Sequence, residues 1–385
     1  MANHELWLTD DKGGRIALLD DFISFEGTIA VNTVGQCKLY LPSTFDTSLL
    51  RIDRMLQLWR APTGGTLKLW RPFLIQRIRY AMNGAEETIE VGGEDPNTLL
   101  KRRVIMGYKG SPEAEKSDYL DDMMKAYVNE SMVVSAYTPG FGSRNYTGLT
   151  IQRDLSKGAQ AYHEAAFRNL YKALQALASK NREFGASDLF FDVVPTFVTG
   201  TSISFEFRTY VGQIGADLSN YVVFDPQDGN FTNPFFERDW SDVQSYVITA
   251  GQGSSELRQV YEVYDKARLY VSKWAWREGF KDARSADNEA DVALEGFDAL
   301  GRGRPVMLFG GQPVDTDGTQ YQRDWDYGDL VEARYRDVDA KVMVDSLTLK
   351  IDASGETITT GLRVVSSSLN DNDNIQGGWI PVAPE

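Results

Sequence analysis

From Arg15 to Val91 apolar and polar residues alternate in short runs broken by turn residues, the period of half-buried strands. The runs predict strands at Arg15–Leu19, Phe22–Ala30, Gln36–Leu41, Met55–Arg60, Thr66–Ala81 and Glu87–Val91. Turns are expected at Gly13-Gly14, Pro62-Thr63-Gly64-Gly65 and Asn83-Gly84. Strands this short and evenly spaced suggest a small barrel or sandwich. Asp95-Pro96 then reads as a helix start, with Asp95 as N-cap and Pro96 in the first helical position.

The period lengthens in the middle of the chain. Ser117 is placed to cap a short helix that turns Leu120, Met123, Met124, Tyr127 and Val128 inward. A longer helix is expected from Asp154 to Glu183, with Leu155, Ala159, Tyr162, Ala166, Leu170, Leu174 and Leu177 on one face and Gly185 as its stop. From Asp188 strand character returns, at Ser202–Tyr210, Tyr221–Phe224, Val243–Ala250 and Gln259–Tyr264. A last helix at about Asn288–Leu300 points Val292, Leu294, Phe297 and Leu300 inward and stops at Gly301. Strands follow at Val306–Phe309, Leu330–Tyr335, Lys341–Asp352 and Glu356–Leu362, and a Ser-, Asn-, Asp- and Gly-rich tail after Ser366 reads as loosely held.

Two of these segments resemble each other. Phe73–Gly92 aligns without a gap on Val342–Gly361, at a constant offset of 269 residues. Apolar positions coincide: Phe73 with Val342, Ile75 with Val344, Ile78 with Leu347, Tyr80 with Leu349, Met82 with Ile351 and Ile89 with Ile358. Glu87-Thr88-Ile89 lies opposite Glu356-Thr357-Ile358, and a further strand precedes each copy. Any half-buried hairpin shares the two-residue period, but the matched hairpin length and the shared Glu-Thr-Ile go beyond it. A duplicated β unit lets three chains present six similar modules.

Composition narrows the function classes. With 385 residues, 42% hydrophobic and 12% aromatic, the chain has material for two or more packed domains. No run approaches the ~20 apolar residues of a membrane helix, and the start shows no signal-peptide pattern. One cysteine, Cys37, rules out an internal disulfide, fits a reducing cytoplasm and reads as a small buried hydrophobe. The net charge of −15 argues against a phosphate-binding face, and Lys101-Arg102-Arg103 reads as an exposed helix end.

Catalytic patterns are sparse. A triad needs a histidine base, and only His4, near a terminus expected to be mobile, and His163, on the predicted long helix, exist. Zinc, Walker and dinucleotide motifs are absent; Gly251-Gln252-Gly253 reads as a turn. Asp315-Thr316-Asp317-Gly318 and Asp371-Asn372-Asp373-Asn374 alternate oxygen ligands as calcium loops do, but lack the downstream glutamate. A glycosidase needs only two carboxylates at the right separation, which 55 acidic residues always offer. Trp59, Trp70, Trp274 and Trp276 are candidates for a sugar platform, and more often such residues are core or interface anchors.

Several stretches resemble the tail-hub, or baseplate-hub, proteins of long-tailed bacteriophages. Leu18 to Phe25 followed by Gly35 to Pro42 is similar to their opening strands, and Ile89 to Asp95 leading to Leu99–Ile105 is similar to their sheet-to-helix transition. Val222-Val223-Phe224 with Gly229-Asn230-Phe231, then Gly251-Gln252-Gly253 with Arg258, adds to the likeness. Asp324-Trp325-Asp326-Tyr327-Gly328-Asp329-Leu330-Val331 resembles the turn that opens their second tube domain, with Tyr327 where that turn usually has Leu.

The likeness spans most of residues 15–365. It implies a mixed, mainly β fold with α+β insertions: two similar β-barrel tube domains plus outer helix-containing domains. The boundaries it suggests are 1–105 for the first barrel, 106–187 for a helical insertion, 188–235 for the start of the second barrel, 236–320 for an α+β outer segment, 321–370 for the closing strands and 371–385 for a flexible tail. The implied protein is a non-enzymatic structural hub of the virion tail tip, made in the host cytoplasm, with no cofactor or metal and no stable membrane association. It would form a homotrimer whose pseudo-sixfold ring joins tail-tube and distal tail proteins to tape-measure and tail-fibre or receptor-binding components, with DNA only passing through. Two alternatives stand beside it: a cell-wall glycan hydrolase or glycan-binding tail protein, and the hub of a bacterial tail-derived injection machine.

Overall fold

A computed structural model describes residues 2–83, 86–107, 113–134, 142–183, 187–253, 258–284, 289–303 and 306–367. The fold is mainly β. Strands in the first part are β1 (Asn3–Thr9), β2 (Arg15–Leu18), β3 (Ser24–Ala30), β4 (Gln36–Pro42), β5 (Met55–Ala61), β6 (Lys68–Asn83) and β7 (Glu86–Glu94). The middle holds α1 (Thr98–Lys101), β8 (Ala114–Tyr119), α2 (Leu120–Val128), β9 (Leu149–Ile151), β10 (Gln160–Ala165), α3 (Leu170–Glu183), β11 (Leu189–Val198) and β12 (Ile203–Val211). Then come β13 (Val223–Phe224), β14 (Phe231–Asp239), β15 (Tyr246–Ala250), β16 (Val260–Tyr264), α4 (Lys266–Leu269), β17 (Glu278–Asp282) and α5 (Glu289–Arg302), and last β18 (Val306–Pro313), β19 (Leu330–Tyr335), β20 (Val338–Asp352) and β21 (Gly355–Ser367).

The chain divides into two compact units. The first comprises Met1–Pro234, Gly310–Glu332 and Met343–Leu362; the second comprises Phe235–Phe309, Ala333–Val342 and Arg363–Glu385. Thirteen strands form one sheet whose path is β14-β18-β21-β20-β3-β4-β7-β6-β5-β1-β2, with β19 beside β20 and β13 beside β19. Its ends, β14 and β2, do not pair with each other. Inward positions alternate as the two-residue period requires: Phe25, Leu39, Phe73, Val91, Leu347 and Leu349 are all buried.

A second layer of the first unit packs α2 and α3 with the β11-β12-β9 sheet. Leu120, Met123, Met124, Tyr127 and Val128 of α2 are buried, as the helical spacing predicts, and Phe205 and Phe207 alternate inward on β12. In the second unit, β15 lies between β16 and β17, and Val247 and Val263 meet Leu300 of α5. Val292 is buried and Phe297 packs on the same cluster. Helix α5 continues through Gly301 to Arg302 rather than stopping at the glycine.

Several expectations are corrected. The long helix over 154–183 is helical only from Leu170; Gln160–Ala165 is a strand paired with β8. The helical register is broken by three positive-φ residues, Ser156, Gly158 and Phe167, and by the two-residue burial of β10. His163 therefore lies on a strand. Ser117 caps nothing, because it lies within β8 and α2 opens at Leu120. Asp95 is not the N-cap of α1; Asn97 holds that position, and the Asp95 carboxylate accepts from the Asn97 backbone N–H. His4 is no mobile end: β1 pairs along its length with β5.

Cys37 is buried in β4, and burial pushes its thiol well above the ordinary range. A maleimide is therefore expected to leave the native protein unlabelled and to react only at the rate of unfolding, read by mass spectrometry.

Candidate assembly surface

The two aligned sequence segments occupy corresponding hairpins, β6–β7 and β20–β21. The correspondence extends beyond them. In the first half the neighbours run β5-β6-β7-β4-β3, and in the second they run β19-β20-β21-β18-β14. Chain order matches too, since β3 to β7 corresponds to β14 followed by β18 to β21. A long insertion carrying β15, β16, β17 and α5 separates β14 from β18, where β3 and β4 are joined by a few residues.

The two copies meet through β3 and β20, which pair antiparallel from Ser346 opposite Ala30 to Ile351 opposite Phe25. The hydroxyls of Thr28 and Thr348 lie 2.9 Å apart across this junction. At its centre a Cβ on Gly27 would stand 2.7 Å from the Trp70 ring, so that position has no room for a side chain. Trp70 in turn donates to the Tyr321 hydroxyl at 2.7 Å, and Tyr321 packs on Trp325 with ring centroids 4.8 Å apart.

A buried ionic cluster pins the copies together. Arg60 of β5, fully buried, sends two hydrogen bonds of 2.7 Å to Glu356 of β21, one to Asp315 at 3.0 Å and one to the Tyr321 carbonyl at 2.8 Å. His4 is the other partner of Glu356. Burial alone would raise the Glu356 carboxyl, but hydrogen bonds from Arg60 and His4 outweigh it and hold the pKa at about 2. Glu356 is the glutamate of the second Glu-Thr-Ile, whereas its counterpart in the first, Glu87, is exposed.

A second cluster ties the first copy to β11. Arg71 on β6 donates to Asp95 and Asp192, with closest contacts of 2.6 Å to each. Burial opposes the Arg71 charge, yet the two carboxylates hold its pKa well above the ordinary value. Asn97 donates to Asp192 and accepts from the Val193 backbone, while Asn32 makes the same kind of amide bridge to Leu189 and Phe191. No sequence motif announced Arg71, Asp192, Asn32 or Asn97. Their only sequence signal is a charged or amide residue interrupting a strand or its end.

The catalytic candidates do not converge. His163 shares a hydrogen bond of 2.9 Å with the Tyr127 hydroxyl, and burial, then Lys180 and Arg168, lower its pKa to about 4, which keeps it neutral. Asp315 faces Arg60 whereas Asp317 is fully exposed and pairs with Arg323, so the pair holds no common point. Asp371 to Asn374 lie outside the described residues. Asp121 and Asp122 accept the backbone N–H groups of Leu155, Ser156 and Lys157 and pair with Lys125, which makes them a loop clamp. No group of three or more metal-ligating side chains occurs among the described residues.

The four tryptophans separate. Trp70 is core, and Trp59 lies under the Arg15 guanidinium. Trp274 and Trp276 are exposed in the second unit. Trp276 stacks on Tyr246 at 5.0 Å, and Tyr246 on Tyr264 at 6.0 Å, with rings nearly parallel. Tyr246 therefore presents an edge, its two ring faces covered by neighbours, which is the wrong aspect for stacking a sugar. The adjacent recess of about 960 Å³, lined by Arg238 to Gln244 with Arg277 and Glu278, is mostly polar, unlike an ordinary small-molecule site.

The sequence profile of the Siphovirus ReqiPepy6 Gp37-like proteins matches residues 5–361. No curated protein sequence matches the chain. Among solved structures, the fold is similar to the 43 kDa tail protein of prophage MuSo2 from Shewanella oneidensis, with a TM-score of 0.57 at 12% identity, covering 93% of this chain and 98% of that one. It is also similar to a tail protein from Neisseria meningitidis, with a TM-score of 0.53 at 12% identity, covering 94% and 97%. At that identity the likeness carries the fold alone.

Proposed function

Because the chain belongs to the Siphovirus ReqiPepy6 Gp37-like protein family and has a phage tail-protein fold, we propose that it is a structural ring protein at the tip of a siphophage tail. The observation that carries this reading is the duplicated five-strand set, with its two copies joined edge to edge through β3 and β20. Three such chains give six similar modules around a threefold axis. That number matches a hexameric tube on one side and threefold components on the other. In this reading each module is one tube domain, the partners are distal tail, tail-tube, tape-measure and fibre proteins, and the role is mechanical rather than catalytic. A net charge of −15 suits a passage through which DNA must slide without adhering.

Electron microscopy of the purified chain tests this directly. Views down the axis are expected to show rings of three chains with six peripheral densities, and light scattering a mass of three chains. A strictly monomeric protein at tens of micromolar that also fails to bind tail-tube or distal tail protein would overturn the proposal.

A further inference from the structure

The repeat contains an asymmetry. In the second copy, Ser346 to Ile351 of β20 are covered on one edge by β21 and on the other by β3. The residues 269 positions earlier, Arg77 to Met82 of β6, are paired with β7 on one edge only. Strand β5 covers β6 no further than Ile75. Burial records the difference. Leu349 and Ile351 are 0% and 9% exposed, whereas their counterparts Tyr80 and Met82 are 53% and 74% exposed. Two apolar core-face positions are thus left in solvent beside a run of backbone that, among the described residues, no strand covers on that side, a combination that soluble edge strands ordinarily avoid.

The strand that should cover this edge follows from the same correspondence. The cover of β20 is β3, and the counterpart of β3 is β14. Strand β14 is the last on the sheet path, so among the described residues no strand pairs with its outer side. The opposite end of the path, β2, is already met by the 200–203 loop, through Arg15 N–H to the Gly200 carbonyl and the Gly13–Ser202 bridge. Side-chain charge fits as well. Arg77 and Arg79, which share Glu90, are well exposed, and β14 carries Glu237 and Asp239 on either side of Arg238.

We propose that the Arg77–Met82 edge of β6 pairs antiparallel with the outer edge of β14 from a second copy of this chain, repeating between chains the junction that β20 and β3 form within one. The proposal rests on the ring reading above and specifies its contact. Two different edges meet, so the interface is heterologous and propagates until the rotation closes. Backbone bonds supply the pairing, as in strand addition generally, and Tyr80 and Met82 gain the burial that Leu349 and Ile351 already have.

The test uses the full chain with Tyr80→Cys combined in turn with Pro234→Cys, Phe235→Cys, Phe236→Cys and Glu237→Cys. Native Cys37 is buried and stays silent. Mild oxidation is expected to give covalent dimers and trimers on a non-reducing gel from one partner position, and none from its immediate neighbours, because adjacent side chains point to opposite faces. A second pair, Tyr80→Lys and Met82→Lys, alters only exposed side chains and is expected to reduce the trimer to monomer with an unchanged far-ultraviolet circular dichroism spectrum. A wild-type trimer that yields no cross-link at any of the four positions, or that survives both lysines, overturns the edge pairing and leaves the ring reading standing. A wild-type monomer overturns both.

Discussion

Replacing Arg60 with methionine is expected to remove about 3–5 kcal/mol of folding stability at neutral pH, the usual cost of leaving a buried carboxylate without its partner. The side chain is fully buried, and its loss takes the guanidinium from Glu356 and Asp315 and a donor from the Tyr321 carbonyl, leaving Glu356 with His4. The pH dependence carries the signature. Glu356 has a folded pKa of about 2 against an ordinary 4.5, so its contribution is fully present above about pH 4.5 and drains away as the pH falls toward 2. Urea midpoints of wild type and Arg60→Met are therefore expected to lie far apart at pH 7 and to converge as the solution is acidified. Adding Glu356→Leu to Arg60→Met should recover part of the loss, since no unpaired charge then remains at that position. A gap that stays constant from pH 7 to pH 3 would show that packing, not the ion pair, sets the cost.

Arg71→Met is expected to be comparably severe, again about 3–5 kcal/mol, because one cation neutralises two buried carboxylates. Arg71→Lys should be only a partial remedy, since an ammonium cannot spread its donors over both Asp95 and Asp192 as the planar guanidinium does. Asp192→Asn should be milder, near 1–3 kcal/mol, because it removes one charge and keeps the shape. Denaturant melts of the three variants check this order. If Arg71→Lys matches wild type, the forked geometry is irrelevant.

Much of the β framework was legible because a half-buried strand must alternate. Phe25, Leu39, Phe73 and Leu347 are apolar positions of strands that the alternation predicts, and all four are buried. The duplicated hairpin was legible for the same reason, with its length and its Glu-Thr-Ile as added signal. The Gln160–Ala165 strand was misread because Leu155, Ala159 and Tyr162 mimic helical spacing, and nothing local reveals that Phe167 adopts a positive φ. Asp95 is 24 residues from Arg71, but Glu356 of Arg60, Asp192 of Arg71 and the β11 partners of Asn32 and Asn97 lie about a hundred to three hundred residues away, and no local pattern encodes such a pairing. The two edges that no strand covers among the described residues were equally invisible, for an edge is defined by what fails to lie beside it. The two histidines that the sequence offers as bases, His4 and His163, lie apart in the fold, on β1 and β10.

The β3–β20 junction also sets a clock. Residues 25–30 leave the ribosome early, and their partners 346–351 follow more than three hundred residues later. At ordinary elongation rates that is a wait of roughly 16–60 s. Until then the nascent first copy lacks the strand that covers β3, and the Arg60 cluster lacks Glu356. Long-range strand pairing of this kind forms late, after its loop-closure cost has been met. A chain truncated before Val338 can complete neither feature. The β3–β20 junction and the Arg60 cluster can therefore both form only after residues 346–356 have been made, so the two copies become joined late in synthesis.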